Sequence, residues 1–66
     1  MRTNLKVFRV RRGLTMEEMA ARVGCGRSAY SAIESGKRDG RMKFWYSLQT
    51  AFEVKDTELG ELMRNE

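Results

Sequence analysis

Apolar residues recur at helical spacing in five short runs, four of them closed by a glycine or opened by a capping residue. The first run, about 4–12, places Leu5 and Phe8 on one face and stops at Gly13. A second starts at Thr15. Thr15 and Glu18 form a T-x-x-E capping box, Leu14 stands before it as a staple residue, and Gly24 ends the run. Its inward positions are Met19, Ala20 and Val23. The third run, about 27–35, turns Tyr30 and Ile33 inward and takes Gly36 as its C-cap. The fourth, about 43–53, lines up Phe44, Trp45, Leu48 and Phe52. The last begins at Asp56, a good N-cap residue, and carries Leu59, Leu62 and Met63. Alternation of the strand type occurs only weakly, in KVFRV (6–10), where the Gly13 stop and the following capping box favour a helix. The pattern predicts an all-α fold, a compact five-helix domain spanning residues 1–66.

Size narrows the functions open to such a domain. A chain of 66 residues buries only about 60% of its unfolded surface, enough for one small core and too little for an enclosed substrate cavity. The lone Cys25 excludes an intramolecular disulfide and fits a reducing compartment. With no histidine and no second cysteine, neither a zinc site nor a Cys–His pair is available, and no pair of carboxylates has catalytic spacing. No enzyme and no cofactor are expected. No apolar run approaches the length of a membrane span or a secretory signal.

Charge divides the chain. Residues 1–43 hold eleven Lys and Arg against four acids, a net of +7, whereas residues 44–66 hold two against five, a net of −3. A basic front with an acidic back fits a polyanion approached from one side; charge by itself fits a solvated basic surface equally well.

The pair of runs between 15 and 36 supplies the missing specificity. A helix that reads DNA is short, exposed on one face and buttressed by a second helix at a steep angle. That angle needs a small residue where the helices touch, which Ala20 supplies, and a glycine four residues later for a positive φ, which Gly24 supplies. Met19, Val23, Tyr30 and Ile33 fill the angle. With these residues in place, GLTMEEMAARVG (13–24) and SAIESGKR (31–38) resemble the helix-turn-helix family of phage repressors and Cro proteins, the Cro/XRE type. The likeness runs from Leu5 to the apolar positions of the fifth run. It implies a domain that binds double-stranded DNA as a homodimer and regulates transcription. Four positions depart from the family pattern: Met16 replaces a phosphate-clamping glutamine, Gly26 a Ser/Thr cap, Tyr30 a β-branched residue, and Asp39-Gly40 the usual proline turn.

The resemblance assigns roles to particular residues. Arg27, Ser28, Ser31 and Ala32 project away from Tyr30 and Ile33, and they are the candidates for base contact. Arg27 suits guanine, Ser28 donates or accepts, and the Ala32 methyl suits a thymine methyl. Lys37, Arg38, Arg41 and Lys43 are expected to clamp phosphates, with Arg41 or Lys43 able to enter the minor groove. Arg11 and Arg12 are further phosphate candidates, as is the backbone N–H of Met16. Arg9 and Glu34 match positions that form a largely buried ion pair in the family. Dimerisation is expected through residues 44–66, with Val54, Leu59, Leu62 and Met63 at the interface. The expected site of action is the cytoplasm, on the nucleoid, and no small-molecule ligand or membrane partner is implied.

Two other functions compete. One is an antitoxin or anti-repressor whose acidic, aromatic C-terminal half grips a protein. The other is a basic amphipathic membrane peptide, against which the caps, glycine stops and separate apolar stripes argue.

Overall fold

In the computed structural model, which describes residues 1–66, the chain forms five α-helices and no strand: α1 (Thr3–Arg11), α2 (Met16–Val23), α3 (Arg27–Ser35), α4 (Met42–Phe52) and α5 (Asp56–Met63). Each expected run is a helix, with ends displaced by no more than about a residue or two, the usual uncertainty where helices fray. No helix is long and apolar enough to cross a membrane.

The local signals explain most boundaries. Thr15 caps α2 as expected: its hydroxyl accepts from the Glu18 N–H at 3.1 Å, and the Glu18 carboxylate accepts from the Thr15 N–H at 2.9 Å. Those hydrogen bonds hold the Glu18 carboxyl below its ordinary range. The expected cap at Asp56 is corrected. Lys55 occupies the cap position and Asp56 is the first helical residue, where its carboxylate accepts from the Gln49 side-chain amide at 2.6 Å. An acid there still complements the positive end of the helix. The stop of α4 had no glycine to announce it. Glu53 takes the left-handed conformation itself, at φ 53°, which a non-glycine residue adopts only with some strain.

One core unites all five helices. Leu5 and Phe8 of α1, Met19, Ala20 and Val23 of α2, Tyr30 and Ile33 of α3, Phe44, Trp45 and Leu48 of α4, and Leu59 and Leu62 of α5 are buried in it together with Val54. Aromatic rings fix its geometry. Phe8 meets Phe52 edge-on at 5.3 Å between centroids, and Phe44 meets Trp45 edge-on at 4.8 Å.

Two charged groups share this interior. Glu34 lies 1% exposed on the inner face of α3. The Arg9 guanidinium meets its carboxylate through Nε at 2.9 Å and Nη2 at 3.2 Å, and uses Nη1 to donate to the Leu14 carbonyl at 2.8 Å. The bond to Glu34 raises the Arg9 pKa. Burial, reinforced by the Glu34 carboxylate, likewise pushes the Tyr30 hydroxyl well above the ordinary phenol range, so it stays neutral.

Breaking a buried pair from one side leaves the other charge without compensation, at a cost of about 3–5 kcal/mol. Glu34→Gln is therefore expected to remove most of the stability of a domain this small, read as thermal unfolding by circular dichroism. A melting temperature within a few degrees of the parent would show that the pair carries no such cost.

Candidate nucleic-acid interface

The turn between α2 and α3 needs three residues. Gly24 closes α2 at φ 88°, with its N–H and that of Cys25 both donating to the Ala20 carbonyl, at 2.8 and 3.0 Å. A Cβ at Gly24 would meet nothing within 4 Å, so the backbone angle, and not lack of room, calls for glycine there. Ala20, 2% exposed, is the small residue at the core end of α2 that the turn requires. Gly26 opens α3 in extended conformation without a side-chain cap. Cys25 is half-buried beside the core, and burial raises its pKa, which keeps it a thiol.

Helix α3 is two-faced. Tyr30, Ile33 and Glu34 are buried. Residues 28, 31, 32 and 35 fall away from these by helical geometry, and Arg27 is the first residue of the helix. Arg27 and Ser28 are exposed, Ser31 and Ala32 half-exposed. The face thus carries one free cation, two hydroxyls and a methyl, a set suited to base edges in a major groove. Ser35 also lies on this side. It was not singled out from the sequence, and its hydroxyl donates back to the Ala32 carbonyl at 3.1 Å.

The basic segment after α3 folds onto the same region. The N–H groups of Lys37 and Arg38 both donate to the Ala32 carbonyl, at 2.9 and 3.1 Å. The Trp45 indole N–H donates to the Asp39 carbonyl at 3.2 Å. Gly40 makes that approach possible: its φ is +79°, and a Cβ there would lie 2.9 Å from the indole nitrogen. Arg38, Arg41 and Lys43 line an open groove whose other wall includes Gly24, Cys25 and Ala29 of the helix-turn-helix. Lys37, Arg38, Arg41 and Lys43 are all exposed, and none is paired with an acid.

The remaining candidates separate. Met16 is half-buried with its side chain against the core, so only its backbone N–H at the start of α2 can serve a phosphate. Arg11 is exposed on the last turn of α1. Its neighbour Arg12 lies 3.5 Å from the Phe8 ring centroid and donates to the Phe8 carbonyl at 3.1 Å.

Two expectations are corrected. Arg2, counted with the basic front, is 4% exposed and points into the fold. Nothing in the sequence marks it apart from the other arginines. Of the expected interface residues, Val54, Leu59 and Leu62 are 5%, 7% and 4% exposed in the single chain. They close the chain's own core: Leu59 and Leu62 dock α5, and Val54 enters the core just before it. Met63 alone stays half-buried, and the exposed large apolar side chains are instead Val7, Val10, Met42 and Tyr46, beside Met1.

Comparison with known proteins agrees with this geometry. A family model described as a helix-turn-helix domain matches residues 1–62. An uncharacterized HTH-type transcriptional regulator of Archaeoglobus fulgidus is 38% identical over 55 residues, covering 83% of this chain and 78% of the relative. A second from the same organism is 32% identical over 59 residues, covering 89% and 84%. One from Methanocaldococcus jannaschii is 36% identical over 55 residues, covering 83% of each chain. No solved structure gives a significant match. With a glycine-turned helix pair, an outward polar face on the second helix and a matching family model along nearly its whole length, the chain belongs to the Cro/XRE-type helix-turn-helix family of DNA-binding transcriptional regulators.

Proposed function

We propose that this protein is a small Cro-like repressor that binds a palindromic operator in double-stranded DNA as a homodimer. The observation that carries the reading is the outward face of α3, with Arg27, Ser28, Ser31 and Ala32 free of the core and unpaired basic residues beside them. In this reading α3 lies in the major groove. Arg27 makes a two-pronged contact to guanine, Ser28 and Ser31 supply hydroxyls, and the Ala32 methyl meets thymine. Lys37, Arg38, Arg41 and Lys43 clamp phosphates, helped by Arg11 and the Met16 N–H. The acidic residues Glu53, Glu58 and Glu61 are exposed on the C-terminal half, where they disfavour docking of that half onto DNA. The protein acts on the nucleoid.

The two classes of contact respond differently to substitution. Arg27→Ala is expected to cost about 1–3 kcal/mol on the best site and to relax preference at one base position. Lys37→Ala is expected to weaken all sequences alike and to flatten the dependence of affinity on salt. Selection from a random DNA pool, followed by salt titrations on the selected site, measures both. The reverse pattern would exchange the two assignments.

Homodimerisation follows from the size of the reading surface. One recognition helix spans only a few base pairs, and a two-fold partner places a second helix about 34 Å away, one turn of DNA. With Val54, Leu59 and Leu62 committed to the core, the contact is small and falls to Met63 and exposed apolar side chains such as Val10, Met42 or Tyr46. A small contact makes a weak free dimer that assembles on DNA. Sedimentation is expected to find monomer in the free protein and two chains per palindromic operator. Saturation at one chain, without cooperativity, would contradict the dimer.

A further inference from the structure

Arg2 is the most highly bonded side chain in the molecule. Its Nε donates to the Met63 carbonyl at 3.0 Å. Its Nη1 donates to the carbonyls of Ile33 and Arg38, both at 2.7 Å, and its Nη2 to that of Asp39 at 3.2 Å. These acceptors come from three segments: the last turn of α5, the last turns of α3, and the basic loop that follows α3. The guanidinium also lies 5.4 Å from the Trp45 ring centroid, and Trp45 donates to the same Asp39 carbonyl. The nearest formal negative charge is the Asp39 carboxylate, 3.9 Å away and fully exposed, which solvent screens. The buried charge is therefore compensated mainly by four backbone carbonyls, two of them at the negative ends of α3 and α5. A planar fork of five donors can reach four carbonyls at once, whereas an ammonium on a flexible stem cannot.

The loop between α3 and α4 has no ladder or helix to hold it. Its ends are tied: the Gly36 N–H donates to the Ile33 carbonyl, the Gly36 carbonyl accepts from the Asn65 amide, and the Arg41 carbonyl accepts from the first N–H groups of α4. Between them, beyond the two N–H bonds to Ala32, the carbonyls of Arg38 and Asp39 are held by Arg2 and Trp45. We propose that Arg2 is a positioning residue for DNA binding. It never touches DNA, and it sets the carbonyls of Arg38 and Asp39 so that the side chains of Lys37, Arg38 and Arg41 stand at a fixed offset from α3. The inference rests on the DNA-binding reading above. Its physical basis is pre-organisation: a loop ordered before binding spares the complex the loss of backbone freedom. Loss of Arg2 should lower affinity on the order of tenfold for every duplex, and leave base preference unchanged because the face of α3 is untouched.

The test uses Arg2→Lys and Arg2→Met in the full chain. Without DNA, brief trypsin digestion is followed by mass spectrometry, and cleavage after Lys37 and Arg38 is compared with cleavage after Arg22, inside α2. Arg22 reports general unfolding, so the ratio isolates the loop. The ratio is expected to rise roughly fivefold or more, since the loop opens separately from the core. An unchanged ratio would reduce Arg2 to a general stabiliser and overturn the proposal.

Affinity is then measured by anisotropy on a mixed-sequence duplex and on a selected site, at a temperature where circular dichroism shows the variants folded. An equal fractional loss on both supports the proposal; variants that bind as tightly as the parent overturn it. A parent protein that binds no duplex refutes the DNA reading instead, and the trypsin ratio still decides the role of Arg2. If neither variant folds, the parent's guanidinium is observed directly by nitrogen-15 NMR. Separate, slowly rotating Nη signals for Arg2 are expected from a fixed fork, and one averaged signal would overturn it.

Discussion

The rest of the structure depends on how Glu34 is held. Its side chain is almost without solvent contact, so a carboxylate there demands a partner with good geometry. Arg9 supplies two bonds to it, and its third reaches the carbonyl of Leu14, just before α2. The Arg2 N–H takes the Glu34 backbone carbonyl at 2.8 Å. Helix α1 and its N-cap residue Arg2 thus grip one residue of α3 at both its side chain and its backbone, and tie the entrance of α2 to the same point. Such a pair adds little to stability relative to a well-packed apolar substitute, and it penalises any arrangement in which the partners do not meet. Its value to the fold is that the helix meant for the outside has one fixed rotation.

From that rotation the two faces of α3 follow. Once Tyr30, Ile33 and Glu34 are inward, Ser28, Ser31 and Ala32 point away from them, and Arg27 is exposed in the first turn. The left-handed turn at Gly24 sets where α3 begins, and the bonds from Lys37 and Arg38 to Ala32 set how the basic loop leaves it. The outward face of α3 and the basic loop are then held in one fixed relation, which the proposed DNA reading requires.

Features governed by neighbours in sequence were legible there. The Thr15–Glu18 box, the glycine stops and the helical stripes each act over a few residues, and the corresponding helices and inward positions stand in the structure as those patterns require. The pairing of Arg9 with Glu34 crosses 25 residues, and only the family resemblance pointed to it. Arg2 lay beyond both kinds of signal. Its partners are backbone carbonyls far along the chain, which leave no trace in residue identity, so it read as one more surface cation. The apolar residues of α5 misled for a related reason. The pattern shows that Leu59 and Leu62 seek burial, yet cannot say whether the chain itself or a second copy provides it, and here the chain does. At α4, Glu53 ends the helix in a conformation usually left to glycine because the next residue, Val54, must turn back into the core.

In the proposed function, α3 and the loop after it form the surface that meets DNA. The most direct measurement is an NMR titration of the labelled protein with duplex DNA, following every backbone amide. The largest shifts are expected at residues 27–32 and 37–43, while the amides of α5, 56–63, change little at the first binding step. Shifts concentrated on α5 and the acidic end of α4, with α3 silent, would contradict it.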